Sequence, residues 1–135
     1  MFKKILICVF YFTLLSPLSI MAEDNNNEVD YQYYPLNPDI ITNYVKVGKR
    51  IGFVRISAEL LVNSKNDFSL VEKHAPLIRD RIITIIGEHN EKEIKSAAER
   101  EEIRLRCLLE INDVVAAITG TRPIQDLFFT TFLYQ

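Results

Sequence analysis

The stretch from Val54 to Asn63 has an apolar side chain at every second position. The apolar set is Val54, Ile56, Ala58, Leu60 and Val62, and the set between them is Arg55, Ser57, Glu59, Leu61 and Asn63. A period of two is that of a β-strand, whose successive side chains point to opposite faces of a sheet. The pattern therefore predicts a sheet with one packed face and one face largely open to solvent.

A shorter edge strand is predicted ahead of this one. Ile40 to Val47 follows a proline-containing entry segment that favours extended backbone. Gly48 and Gly52 separate the two strands and allow a turn or a bulge. A hairpin is the connection that this arrangement favours.

The last segment, Ile124 to Tyr134, is rich in aromatic and β-branched residues and predicts a strand. Both alternating sets are apolar or threonine: Leu127, Phe129, Thr131 and Leu133 form one, and Phe128, Thr130, Phe132 and Tyr134 form the other. A strand with two apolar faces is expected in the centre of a sheet or covered on both faces. If helices cover only one face, Phe128, Phe132 and Tyr134, or the alternate set, are expected to contact a neighbouring subunit.

Two helices are predicted between these strands. The first carries one apolar face, formed by Val71, Ala75, Ile78, Ile82 and Ile85. Ser69 and Glu72 have the spacing of a capping box at its start. Pro76 predicts a kink, or a helix confined to Leu77 onward, and Gly87 its end.

The second long helix is predicted from Ala97 to Ile118. Ser96 and Glu99 form its predicted capping box, and Gly120 its end. Its predicted apolar stripe is Leu105, Leu108, Ile111, Asn112 and Val115. Asn112 on that stripe needs partners if buried, so we expect it to fix the packing or a loop. A short helical turn from Glu91 to Lys95 is expected to dock Ile94. Together the elements predict an α+β fold, a small, mainly antiparallel sheet with two principal helices packed on one face.

The first 22 residues have the composition of a secretory signal peptide. Lys3 and Lys4 precede an apolar run, and Ala22 and Glu23 flank the predicted cleavage site. The alternative is an uncleaved, short membrane anchor. Both place the rest of the chain outside the cytoplasm. Residues 23–32 are polar and predict a flexible linker, so the folded domain is predicted over 33–135.

The residues of the domain favour no enzymatic reaction. Without the two lysines of the leader, 14 basic and 18 acidic residues remain, which disfavours nucleic-acid binding. His74 and His89 lack metal-ligand spacing, and no cofactor motif is found, so neither a metal nor a cofactor is expected. Cys107 is the only cysteine outside the leader and is predicted to be a buried apolar residue. The charge run from Glu99 to Arg106 predicts a solvated helix face. The chain is therefore predicted not to be an enzyme.

Several segments in a fixed order carry a resemblance to a known family. "YYPLNP" opens the domain, "APLIRDRIITII" lies in the first helix, and "LFFTTFLYQ" closes the chain after "LLEIND". This order and spacing resemble the flagellar basal-body-associated FliL family over about Tyr33 to Gln135.

The resemblance implies a stomatin/prohibitin-type α+β domain in the periplasm, at the inner membrane, that assembles into rings. It also implies contact with the stator units and basal body of the flagellar motor, in support of rotation, swimming, swarming and chemotactic motility. No catalytic or cofactor-binding residue belongs to the family. The alternative is a generic envelope binding module for peptidoglycan or a small ligand.

Overall fold

The structure, a computed structural model, describes residues 29–48 and 50–135. The predicted leader, its cleavage site at Ala22 and Glu23 and most of the predicted linker lie outside these ranges. In chain order the elements are β1 (Gln32–Pro35), β2 (Ile40–Val45), β3 (Ile51–Val62), α1 (Lys65–Gly87), α2 (Glu91–Lys95), α3 (Ala97–Thr119) and β4 (Asp126–Tyr134). The predicted α+β fold is confirmed, with α1 and α3 packed on one face of an antiparallel sheet.

The twelve-residue strand β3 is the centre of the sheet. β2 pairs with its first half, from Ile40 opposite Ile56 to Val45 opposite Ile51. β1 pairs with its last residues, from Gln32 opposite Val62. β4 pairs with β3 from Val54 to Leu61, a stretch that overlaps the pairing regions of both β1 and β2. β1 and β2 therefore lie along one edge of β3, and β4 lies along the other edge.

The expectation that β4 is central or covered on both faces is therefore wrong. β4 has β3 as its only partner strand among the described residues, and one of its faces stays open. The reason is the length of β3, which fits two short strands end to end along one edge and leaves the other edge to β4.

A β-bulge at Thr130 divides β4. Ala58 lies opposite Phe129 and Ser57 lies opposite Thr131, so Thr130 is the extra residue. The side chains opposite the buried residues of β3, and hence on the helix face, are Leu127, Phe129, Phe132 and Tyr134. Phe128, Thr131 and Leu133 lie on the other face. The predicted alternating sets are thus wrong beyond the bulge.

Helix α1 begins one turn earlier than predicted. Ser64 is its N-cap, and its Oγ accepts a hydrogen bond from the Asp67 N–H at 3.0 Å, so the predicted capping box of Ser69 and Glu72 lies inside the helix. The helix continues through Pro76 to Gly87, so it is not confined to the residues after the proline. Its buried face is the predicted one with Ile86 added.

Helices α2 and α3 follow without a long loop. Ile94 of α2 is fully buried, as predicted. Ser96 caps α3 through the Glu99 N–H, and Gly120 ends it in the left-handed conformation at φ 77°, as predicted. The apolar stripe is in part wrong: Leu105 is 46% exposed, and the buried residues are Ile103, Cys107, Ile111, Asn112 and Val115. α3 packs on both α1 and β4, which turns this face inward.

Gly52 lies within β3 rather than in a turn. A Cβ there would overlap the ring of Tyr44, so the missing side chain makes room for that ring. The Tyr44 hydroxyl in turn donates to the Gln135 carbonyl at 3.0 Å. The turn itself uses Gly48, whose φ is 80°. The buried tyrosine thereby joins β2, β3 and the end of β4.

Candidate interaction surfaces

The face of the sheet opposite α1 and α3, here called the open face, is rich in apolar side chains. The strand registers place on it six apolar residues that are each more than half exposed: Tyr33, Ile41, Val45, Ile51, Phe53 and Leu133. Large contiguous apolar patches are unusual on monomeric soluble proteins and mark sites of contact. The predicted sheet face open to solvent is confirmed, and the structure adds that many of the exposed side chains on it are apolar.

A polar group crosses the open face between two apolar regions. Asp39 accepts hydrogen bonds from Ser57 Oγ at 2.8 Å and from Arg55 Nε at 2.6 Å. These bonds, from Ser57 first and Arg55 second, hold the pKa of Asp39 below its ordinary value, so it is ionised at neutral pH. On one side lie Ile41, Phe53 and Leu133, which line a cavity of about 270 Å³. On the other side the rings of Tyr33 and Phe128 are 6.1 Å apart.

A second surface is a groove of about 460 Å³ between α3 and β4, here called the α3–β4 groove. Its lining is Ala97, Arg100, Glu101, Arg104, Phe128, Phe129 and Phe132. Arg104 donates to Glu101, to Asp126 Oδ1 at 2.6 Å and to the Leu127 carbonyl at 2.9 Å. The hydrogen bond from Arg104 to Glu101 is the main cause of two pKa shifts: it lowers the pKa of Glu101 and raises the pKa of Arg104. Arg104 therefore fixes α3 to the start of β4.

Arg100 and Arg104 line the groove although the sequence pattern did not predict this role for them. The charge run was predicted to be solvated, yet Arg104 holds β4 and Arg100 lies with its Cζ 5.5 Å from the centroid of the Phe132 ring. Their i, i+4 spacing on one helix face, facing an aromatic strand, is the signal that could have identified them.

The three residues predicted to contact a neighbouring subunit do not lie on one face. Phe132 is half-buried on the helix face beneath Arg100. Tyr134 is 41% exposed on the same face, with Lys95 Nζ 5.8 Å from its ring centroid. Phe128 is on the open face beside Tyr33. The bulge at Thr130 causes this separation, and the contact role of the three residues stays a prediction.

Two of the titratable candidates, Cys107 and His89, are held by burial and by pairing. Cys107 is fully buried, as predicted, and burial raises the pKa of its thiol to about 12. His89 Nδ1 lies 3.2 Å from Glu93 Oε2. Residues 29–48 and 50–135 contain no cluster of three His, Cys, Asp or Glu side chains that could hold a metal ion. In the same residues no helix has the length and apolar character needed to span a membrane.

The segments that carry the family resemblance join parts of the fold. Arg79 of "PLIRD" donates to the carbonyls of Leu36 at 2.8 Å and Pro38 at 2.6 Å, within "YYPLNP". Asn112 of "LLEIND" exchanges two hydrogen bonds with the backbone of Ile124, just ahead of β4. Arg79 and Asn112 are therefore supports of the structure, whereas "LFFTTFLYQ" also contributes side chains to both surfaces.

The fold and the two surfaces define a small α+β domain suited to protein contacts. The family model described as "Flagellar basal body-associated protein FliL" matches residues 33–135, and the chain belongs to this family. "Flagellar protein FliL" of Aquifex aeolicus (strain VF5) is 31% identical over 102 residues, which are 76% of this chain and 60% of that protein. The match thus spans about 60% of the relative's length. Membership of the family indicates a flagellar basal-body-associated protein, which implies the cell envelope.

Proposed function

We propose that this protein is a noncatalytic accessory component of the flagellar motor. It associates with the stator units on the periplasmic side of the inner membrane, associates with further copies of itself as a ring, and supports rotation, swimming, swarming and chemotactic motility. The observation that carries the proposal is the open face, with six apolar side chains more than half exposed on a domain of the FliL family. Such a face keeps apolar area in contact with water until a partner covers it, and covering it is favourable.

The polar group on the open face supports a specific partner over unspecific adhesion. The charges of Asp39 and Arg55 neutralise each other. The hydrogen bonds that Asp39 accepts from Arg55 and Ser57 hold the two charged side chains in a fixed orientation. A partner that covers the apolar regions must also match this ion pair, because an unmatched charge at an interface costs binding free energy. The ion pair therefore selects partners with a complementary polar group.

The proposed location requires the N-terminal segment to direct export. Residues 1–22 act as a signal peptide or a short anchor, and the domain over 33–135 lies in the periplasm. N-terminal sequencing of the protein from cells distinguishes the two forms: a chain that starts at Glu23 has been cleaved after Ala22, and one that starts at Met1 retains its anchor.

A deletion strain tests the functional proposal. Its cells should spread less on semi-solid agar and swim more slowly at raised viscosity, where the motor works at high load, and the gene supplied in trans should restore both. Flagellar number, counted by electron microscopy, controls for loss of assembly. Unchanged motility of the deletion strain under both conditions would overturn the proposal.

A further inference from the structure

The outer edge of β4 has backbone groups that no strand in the described residues pairs with. Phe53 and Gln135 exchange both backbone hydrogen bonds, at 2.9 and 3.4 Å. In an antiparallel pair such residues alternate with residues whose N–H and C=O groups point away from the partner. The backbone N–H and C=O groups of Tyr134 and Phe132 therefore point away from β3, as do those of Phe129 before the bulge.

The beginning of this edge is closed by side chains. The Leu127 carbonyl accepts from Arg104 at 2.9 Å, and the Leu127 N–H donates to Asp126 Oδ1 at 2.8 Å. No side chain of the described residues bonds in this way to the backbone of Phe129, Phe132 or Tyr134. An exposed strand edge is a template for a further strand, and the available stretch runs from Phe129 to Tyr134.

The α3–β4 groove beside that stretch has a cationic group without an acidic partner. Arg104 is paired with Glu101 and Asp126, and Lys95 with Glu91. Arg100 has no carboxylate within 4.0 Å in the described part of the chain, and it donates to the carbonyls of Ile94 at 3.3 Å and Lys95 at 3.2 Å. The chain as a whole has a net charge of -2, so the positive charge of Arg100 stands out against an acidic background.

We propose that the α3–β4 groove binds an acidic peptide in extended conformation, which adds to the free edge of β4 as a fifth strand and directs a carboxylate to Arg100. Backbone hydrogen bonds to Phe129, Phe132 and Tyr134 hold the peptide, and alternate side chains enter the groove. There an apolar side chain packs on the rings of Phe129 and Phe132, which lie 5.7 Å apart by their centroids. This binding mode is independent of the flagellar role, since it follows from the edge and groove alone.

Fluorescence anisotropy with labelled synthetic peptides tests the proposal on the purified full chain. The probe is a ten-residue peptide of repeating Glu-Glu-Val-Val units, so that each face of the extended strand carries both glutamate and valine. Its two comparison peptides replace every glutamate by lysine, or carry N-methyl groups on alternate amides that prevent strand pairing. The acidic peptide should bind, and both comparison peptides should bind at least about tenfold more weakly, because each lacks one of the two required contacts. Equal binding of the lysine or the methylated peptide would overturn the proposal.

A charge-matched pair of variants locates the site. Arg100→Gln keeps a donor for the two α2 carbonyls but loses the charge, and should weaken binding of the acidic peptide about tenfold. Arg122→Gln removes the same charge from an exposed arginine beyond the end of α3 and should leave binding unchanged. Equal effects of the two variants would overturn the proposal. It is also overturned if the wild-type chain forms oligomers without peptide and Arg100→Gln dissociates them, because a second copy then occupies the groove.

Discussion

At the scale of single residues, Asn112 is a polar side chain in an apolar stripe and connects α3 to the approach of β4. Its Nδ2 donates to the Ile124 carbonyl at 2.8 Å, and its Oδ1 accepts from the Ile124 N–H at 3.2 Å. Both residues are buried. The amide supplies one donor and one acceptor to a backbone that water does not reach, as the sequence led us to expect.

Replacement of Asn112 by alanine should destabilise the domain. Asn112→Ala leaves the buried N–H and C=O groups of Ile124 without partners, which costs about 1–3 kcal/mol in the free energy of unfolding. Urea denaturation followed by circular dichroism measures the change. Leu109→Ala, at a position of α3 that is 58% exposed, is the control and should change stability by less than about 0.5 kcal/mol. Equal stabilities of the two variants would contradict the role of Asn112.

The buried thiol of Cys107 makes a second prediction at this scale. Burial raises its pKa to about 12, so the reactive thiolate is scarce below that pH in the folded protein. Iodoacetamide at pH 8 should leave Cys107 unmodified in the native chain and modify it in 8 M urea, as read by mass spectrometry of the peptide that contains it. Rapid modification without denaturant would show that the side chain is accessible.

At the scale of elements, β4 completes the fold although it is an edge strand. Leu127 is fully buried, and Arg104 and Asn112 bond to the backbone at and just before the start of β4. At the other end, the Tyr44 hydroxyl donates to the carbonyl of Gln135, the residue after β4. Contacts of β4 therefore reach α3, β3 and β2. An aromatic chain end that would otherwise promote aggregation is part of the folding unit.

Removal of Phe128 to Gln135 should unfold the domain. The truncation deletes most of the strand that pairs with β3 from Val54 to Glu59, and exposes the buried face of that strand. Far-ultraviolet circular dichroism and a thermal melt measure the loss. A truncated chain that keeps the native spectrum and a cooperative transition would show that β4 is dispensable.

The elements differ in how far the sequence could predict them. The face of α1 from Val71 to Ile85 was predicted because its period is local, and Ser96 and Gly120 were predicted because caps depend on adjacent backbone. The bulge at Thr130 was not, because both sets of β4 are apolar and the hydrophobic pattern then leaves the register open. The start of α1 was misplaced because Ser64 and Ser69 both fit a cap.

The surfaces were predicted less well than the fold for the same physical reason. The contact residues depend on which face of β4 the bulge turns toward the helices, and on arginines whose long side chains meet β4 only after folding. Arg104 and Arg79 both bond to backbone more than twenty positions away in the chain, which no local pattern encodes.

At the scale of the whole molecule, the domain presents two surfaces with different chemistry. The open face is mainly apolar with the Asp39–Arg55 pair across it, and the α3–β4 groove combines a free strand edge with Arg100. Phe128 belongs to both, since it lies beside Tyr33 on the open face and also lines the groove, so the two surfaces adjoin at β4.

Swimming speed at raised viscosity, in a deletion strain that expresses single-residue variants, tests the central role of the open face. Leu133→Lys places a charge on the open face at a position 59% exposed, and Ile118→Lys makes the same change at a position of α3 that is 62% exposed. Both proteins should fold and accumulate as wild type, as checked by circular dichroism and immunoblot. We expect Leu133→Lys to swim no faster than the deletion strain and Ile118→Lys to swim as wild type. Wild-type speed with Leu133→Lys would contradict the account.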